Sequence, residues 1–153
     1  MHEASAVIRL AKGGDSAAIQ NLYLELTGDV RVHVLPEQIE AMHADPATHL
    51  LVCDIAGNVY GTALLSLCAD AMYGKQPFAT VENIIVASAA RGTGLGRQLM
   101  ASIETICASH DCSKIMLLSS SSRSEAHAFF ASCGFSGDKK RGFVKYRSQF
   151  HTA

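Results

Sequence analysis

Thr80-Val81-Glu82-Asn83-Ile84-Ile85-Val86, followed by Ala87-Ser88-Ala89-Ala90-Arg91-Gly92-Thr93-Gly94-Leu95-Gly96, is the stretch on which the fold turns. The first seven residues are rich in β-branched side chains, and such a run predicts a strand with side chains on both faces of a sheet. On that alternation Glu82 and Asn83 point to opposite faces. The glycines that follow predict a tight turn into a long helix over 93–110, whose Leu95, Leu99, Ile103, Ile106 and Cys107 make a buried stripe at helical spacing. A strand running through glycines into a helix start aims several backbone N–H groups at one point. That geometry favours an anion, and a diphosphate-bearing ligand is the expectation.

The loop does not match the better-known phosphate motifs. Arg97 stands where G-x-G-x-x-G needs its last glycine, and the Lys-Ser/Thr ending of a P-loop is missing. Glycine allows close backbone approach and unusual dihedrals, while Arg91 and Arg97 offer charge-assisted contacts. A glycine turn needed only for packing is the competing reading.

Outward from this segment, a short strand is predicted at 7–10. Asp15 is placed as N-cap of a helix over 16–26, which Gly28 ends, and Pro36 opens a second helix over 36–43. Strands at 50–55 and 59–67 form a hairpin about a Gly57-Asn58 turn, and Gly61 marks a bend or bulge. After the long helix, 114–119 reads as a strand parallel to 80–86 through a right-handed crossover. A last helix runs from Arg123-Ser124-Glu125 to Cys133, with Gly134 as left-handed cap. Phe135 and 143–150 read as terminal strands. One α/β sheet accounts for the whole, a single domain over 1–153.

Formal net charge is −1, which does not suggest a nucleic-acid binder. The five cysteines are odd in number and match no disulfide framework, so free thiols in a reducing compartment are expected, with no metal site and the cytoplasm as location. No apolar run reaches the roughly 20 residues of a membrane-crossing helix, and nothing near Met1 reads as a secretion signal.

Three motifs together resemble the GCN5-related N-acetyltransferases, the GNAT family. Arg91, Gly94 and Gly96 satisfy its Q/R-x-x-G-x-G/A loop. Val81 to Val86 resembles its fourth strand. Ala126-His127-Ala128-Phe129-Phe130-Ala131-Ser132-Cys133-Gly134-Phe135 resembles its A-x-x-F-Y-x-x-x-G-F segment. The order of elements agrees over nearly the whole chain. The resemblance implies a mixed, mostly antiparallel sheet whose parallel pair, 80–86 and 114–119, splays at the cofactor cleft. It also implies acetyl-CoA as co-substrate, with Arg91, Gly92, Thr93, Gly94, Leu95, Gly96 and Arg97 around its pyrophosphate and Ile84, Ile85 and Val86 along its pantetheine arm. Arg123 and Phe130 approach the cofactor on the same ground.

Acetyl transfer from a thioester needs a neutral amine and a donor for the developing oxyanion. The family's reaction is direct attack in a ternary complex, with a backbone N–H near Ile85 or Val86 polarising the carbonyl. Glu82, a charge in an apolar strand, is the favoured base; an ion pair is its alternative. Many relatives carry a Tyr, as general acid, where this chain has Phe130, which holds no proton to give. The thiolate then leaves unassisted or another donor serves, with Ser119–Ser121, His127, Tyr23 and Tyr73 as candidates. That absence also supports a rival reading, an acyl-CoA-binding sensor with little activity. The expected acceptor is a small-molecule primary amine, selected by the first two helices and residues 69–79. A homodimer is expected from the habit of the family.

Overall fold

The computed structural model describes residues 5–151. These fall into two compact units, one up to Leu117 and one from Leu118 onward.

The first unit is built on a five-stranded sheet in the order β1 (Val7–Leu10), β2 (Thr48–Ile55), β3 (Asn58–Cys68), β4 (Phe78–Val86), β5 (Ile115–Leu117). Neighbours are antiparallel except β4 and β5, which run parallel. This is the mixed, mostly antiparallel sheet that the sequence implied. Helices α1 (Ser16–Thr27) and α2 (Pro36–Ala44) precede β2, and α3 (Leu95–Ser109) joins β4 to β5.

Alternation along β2 explains why both faces are covered. Leu50 and Val52 join Ile19 of α1 and Ile39 of α2 in one buried cluster. Leu51 and Cys53, pointing the other way, are just as buried, and α3 packs across β1 to β4. The α3 stripe is Leu95, Leu99, Met100, Ile103 and Cys107, with Ile106 only half-buried. Truncating the fully buried Ile103 to alanine should cost about 2–5 kcal/mol, because a close-packed core collapses only partly around a void.

Several expected boundaries moved for identifiable reasons. Asp15 does occupy the N-cap position of α1, but its side chain makes no cap bond; its carboxylate is taken by Arg9 and by the Lys12 N–H. The hairpin turn is Ala56-Gly57 rather than Gly57-Asn58, with φ of 52° and 89°, and the Asp54 carboxylate accepts from the Gly57 N–H at 2.7 Å. Two consecutive positive φ values match the right-handed twist of the flanking strands. Gly61 follows a bulge in β3, and a Cβ there would meet Cys53 Sγ at 3.1 Å and the Ile85 carbonyl at 3.2 Å. Gly28 caps α1 at φ 65°, as expected.

The second unit contains α4 (Ser124–Ser132), ended by Gly134 at φ 91°, and a single 3-10 turn at Arg147–Gln149. The terminal strands expected at 135 and 143–150 do not form among the described residues. Phe143, Val144, Tyr146 and Phe150 are all more than half exposed. Their pattern signals amphipathicity, but a strand also needs a partner for its backbone, and none pairs with this segment.

Candidate active site

The site begins with a defect in β4. Thr62 of β3 faces Ile85 and Leu64 faces Glu82, so one β3 residue opposes two on β4. The extra residue is absorbed at Asn83, whose φ is +53°. Asparagine tolerates this left-handed conformation better than the β-branched residues around it. A bulge of this kind re-aims side chains next to it.

The expected opposition of Glu82 and Asn83 does not hold. Glu82 shares a cross-strand row with Leu64 and Leu50, on the face covered by α1 and α2. Asn83 also reaches that side, where its amide lies near the hydroxyl of Tyr23 on α1. Burial pushes the Tyr23 phenol up from its ordinary 10.0, and the nearby Asn83 amide lowers it in part. Sequence reasoning named Tyr23 only as one distant candidate donor; the positive φ that unites it with β4 had no signal beyond an asparagine among β-branched residues.

Glu82 is exposed, and among the described residues no cation or donor meets its carboxylate. The ion-pair alternative is therefore not what the fold builds.

Beyond the bulge, β4 loses its parallel neighbour. Its pairing with β5 ends at Val81–Leu117, so residues 82–86 run on without a strand on that edge. This is the splay that the resemblance implied. Backbone groups of Ile84 to Val86 lie in this freed segment.

The chain then makes a 3-10 turn at Ser88–Ala90 and enters the glycine loop. Gly92 and Gly94 have φ of 78° and 83°, and a Cβ built on either meets nothing within 4 Å. The glycines are thus required by backbone conformation and not by crowding. Helix α3 starts at Leu95 with no side chain capping it. Among the described residues, no acceptor meets the N–H groups of Gly92, Thr93, Gly94, Leu95 and Gly96. Unpaired donors around an open concavity at a helix N-terminus fit a pyrophosphate.

Arg91 does more scaffolding than expected. Its Nε donates to the Val86 carbonyl at 3.2 Å, and its Nη2 reaches Glu25 of α1 at 3.3 Å. The same Glu25 oxygen accepts the Ser88 N–H at 2.9 Å. Glu25, unremarked in the sequence, ties both ends of the 3-10 turn to α1. Arg97 is exposed on the first turn of α3.

In the second unit, Arg123 precedes α4 and its carbonyl accepts the His127 N–H at 3.1 Å. The His127 ring bonds to the Ser120 carbonyl at 2.8 Å, a local packing role. Phe130 is buried, with Phe129 and Phe135 at ring separations of 5.6 and 6.2 Å.

All five cysteines are free. Burial pushes the Cys53 thiol up to about 12, and burial together with the neighbouring Cys112 does the same to Cys107. Neither thiol is a ready nucleophile.

Comparison with known proteins gives the family. The model of the acetyltransferase (GNAT) family matches residues 17–135, and the chain belongs to that family. No curated protein matches it. Among solved structures it is similar to a candidate acetyltransferase from Agrobacterium tumefaciens str. C58, with 28% identity, 92% of this chain and 99% of that one covered, and a TM-score of 0.82. Glucosamine-6-phosphate N-acetyltransferase from Arabidopsis thaliana shares the fold at 23% identity, with 94% and 99% covered and a TM-score of 0.78. So does the aminoglycoside N-acetyltransferase AAC(6')-Iy in complex with CoA, at 18% identity, 95% and 97% covered and a TM-score of 0.79. The protein is an acetyl-CoA-dependent N-acetyltransferase.

Proposed function

We propose that this enzyme acetylates a primary amine on a small molecule by direct attack within a ternary complex. The observation that carries the reading is the bulged end of β4. It sets an unpaired carboxylate, Glu82, beside a strand edge released from β5, immediately before a loop of unmatched N–H groups.

Acetyl-CoA supplies an activated thioester. The N–H groups of residues 92–96 hold its pyrophosphate, and the free edge at Ile84 to Val86 pairs with its pantetheine amides. One of those N–H groups polarises the acetyl carbonyl and takes up charge as it develops. Glu82, directly or through water, takes a proton from the substrate ammonium, and the neutral amine that results attacks the thioester carbonyl. Phe130 donates nothing, so the thiolate leaves without help from that position. The parts of Arg97, Arg123 and Phe130 in holding the cofactor rest on the family resemblance alone. Five free thiols suit a reducing, cytoplasmic setting.

The test combines calorimetry with CoA and a thiol-release assay over a panel of amines. Saturable CoA binding and turnover with at least one amine are expected. Glu82→Gln should lower kcat by about 10²–10³-fold while the KM for acetyl-CoA stays within about twofold. An unchanged kcat and pH profile in that variant would remove Glu82 as base.

A further inference from the structure

A cavity of about 180 Å³ lies between α1, α2 and β2. Its floor is Ile19, Ile39 and Leu50, all buried. Val34 forms one wall, and its N–H is fixed at 3.1 Å by Gln20 of α1. His33 and Gln38 stand exposed at the rim. No carboxylate lines it. A cation has no counter-charge here and a hydroxyl finds no partner on the floor, so the space suits carbon. A dry cavity of about 150 Å³ is enough for a benzene ring.

Two observations connect this space to the reaction site. Tyr23 lines the cavity, and α1, which carries it, packs against β4, where the Asn83 side chain lies near its phenol. Leu50 of the floor, Leu64 and Glu82 stand in one row across β2, β3 and β4. Two strand spacings separate the ends of that row, roughly 10 Å. That distance is the span of a small amine with an apolar tail.

Building on the transferase reading, we infer that the acceptor is a primary amine bearing a compact apolar group, a ring or branched chain of about five to eight carbons, seated between α1 and α2. Absence of acid in the cavity sets the orientation: the amine turns to Glu82 and the apolar end turns inward. Tyr23 and Val34 are then specificity determinants, and polyhydroxylated amines are poor substrates.

The assay uses phenethylamine and isoamylamine against ethanolamine and glucosamine, with acetyl-CoA saturating. The apolar pair should show kcat/KM at least tenfold higher, since apolar burial of this extent discriminates by about 10–200-fold. Val34→Phe, which fills the space, should erase that preference by lowering kcat/KM for phenethylamine and isoamylamine at least about tenfold, while calorimetry still shows CoA bound. Equal rates for all four amines, or a preference that survives Val34→Phe, overturn the inference. Methyl NMR of the unmodified protein supplies a readout that needs no variant: phenethylamine should shift the Ile19, Ile39 and Leu50 methyls saturably, and unmoved methyls overturn the assignment. Loss of CoA binding together with loss of all turnover would instead sink the transferase reading beneath it.

Discussion

Arg9 and Arg91 both sit near the end of a strand and both meet carboxylates, but the polar groups around them end up in opposite conditions. Arg9 lies between Asp15 at 2.8 Å and Asp54 at 3.0 Å, with side chains only 24%, 11% and 18% exposed. Asp15 also accepts the Lys12 N–H, and Asp54 the Gly57 N–H. Hydrogen bonding to Arg9 holds the Asp15 carboxyl below its ordinary 3.8, and Asp15 in turn raises the Arg9 guanidinium. Arg91, 54% exposed, meets a single carboxylate at 3.3 Å and stands before five backbone donors with nothing to bind. The first region uses its polar groups to close the fold. The second leaves them unmatched on a backbone that glycines at positive φ make possible, the condition that an anion would require.

Breaking the open region should hurt most. Gly94→Val forces a β-branched residue into φ 83°, which disturbs the N–H groups of the loop. Losing one or two charge-assisted hydrogen bonds should raise the CoA dissociation constant by about 30–100-fold in calorimetry, with little change in the amine KM. An unaltered affinity would mean that the loop only packs.

The bulge tests the step between the two regions. Asn83→Val should cost about 2 kcal/mol in urea unfolding, because a β-branched side chain resists the left-handed conformation. Asn83→Gly accepts that conformation and should recover most of the loss, although it gives up the side chain near Tyr23. Equal destabilisation by both would place the energy in the side chain and not in the backbone.

The smallest effect belongs to the closed region, and it should spare activity. Asp15→Asn should cost about 1–2 kcal/mol at pH 7 with CoA affinity unchanged, the size of a partly solvated charge-assisted bond. The folded carboxyl titrates below the unfolded one, so its stabilisation is complete above 3.8 and disappears as pH falls through the lowered folded value. The gap between wild type and Asp15→Asn in urea midpoints should therefore narrow toward pH 3. A gap that widened would contradict the Arg9 pairing.

Much of the site was legible in the residues because its signals are local. A β-branched run, glycines needing positive φ and a 3.6-residue apolar stripe placed β4, the loop and α3 within a few positions. Gly28 and Gly134 announced the ends of α1 and α4 for the same reason. Readings that relied on a distant partner fared differently. Asp15 looks like a cap until Arg9 is folded against it. Residues 143–150 look like a strand until no neighbour pairs with them.

The order of elements, the family and the glycine loop were determined by the sequence itself, since backbone preference and side-chain spacing act over a few residues. Tertiary structure alone decided that Glu82 and Asn83 share a face, that Tyr23 joins the β4 bulge to the cavity over Leu50, and that Arg91 braces its own loop. The physical reason is that register, bulges and cavities come from how two or more segments meet, and a one-residue slip in β4 would reverse every side chain that follows it.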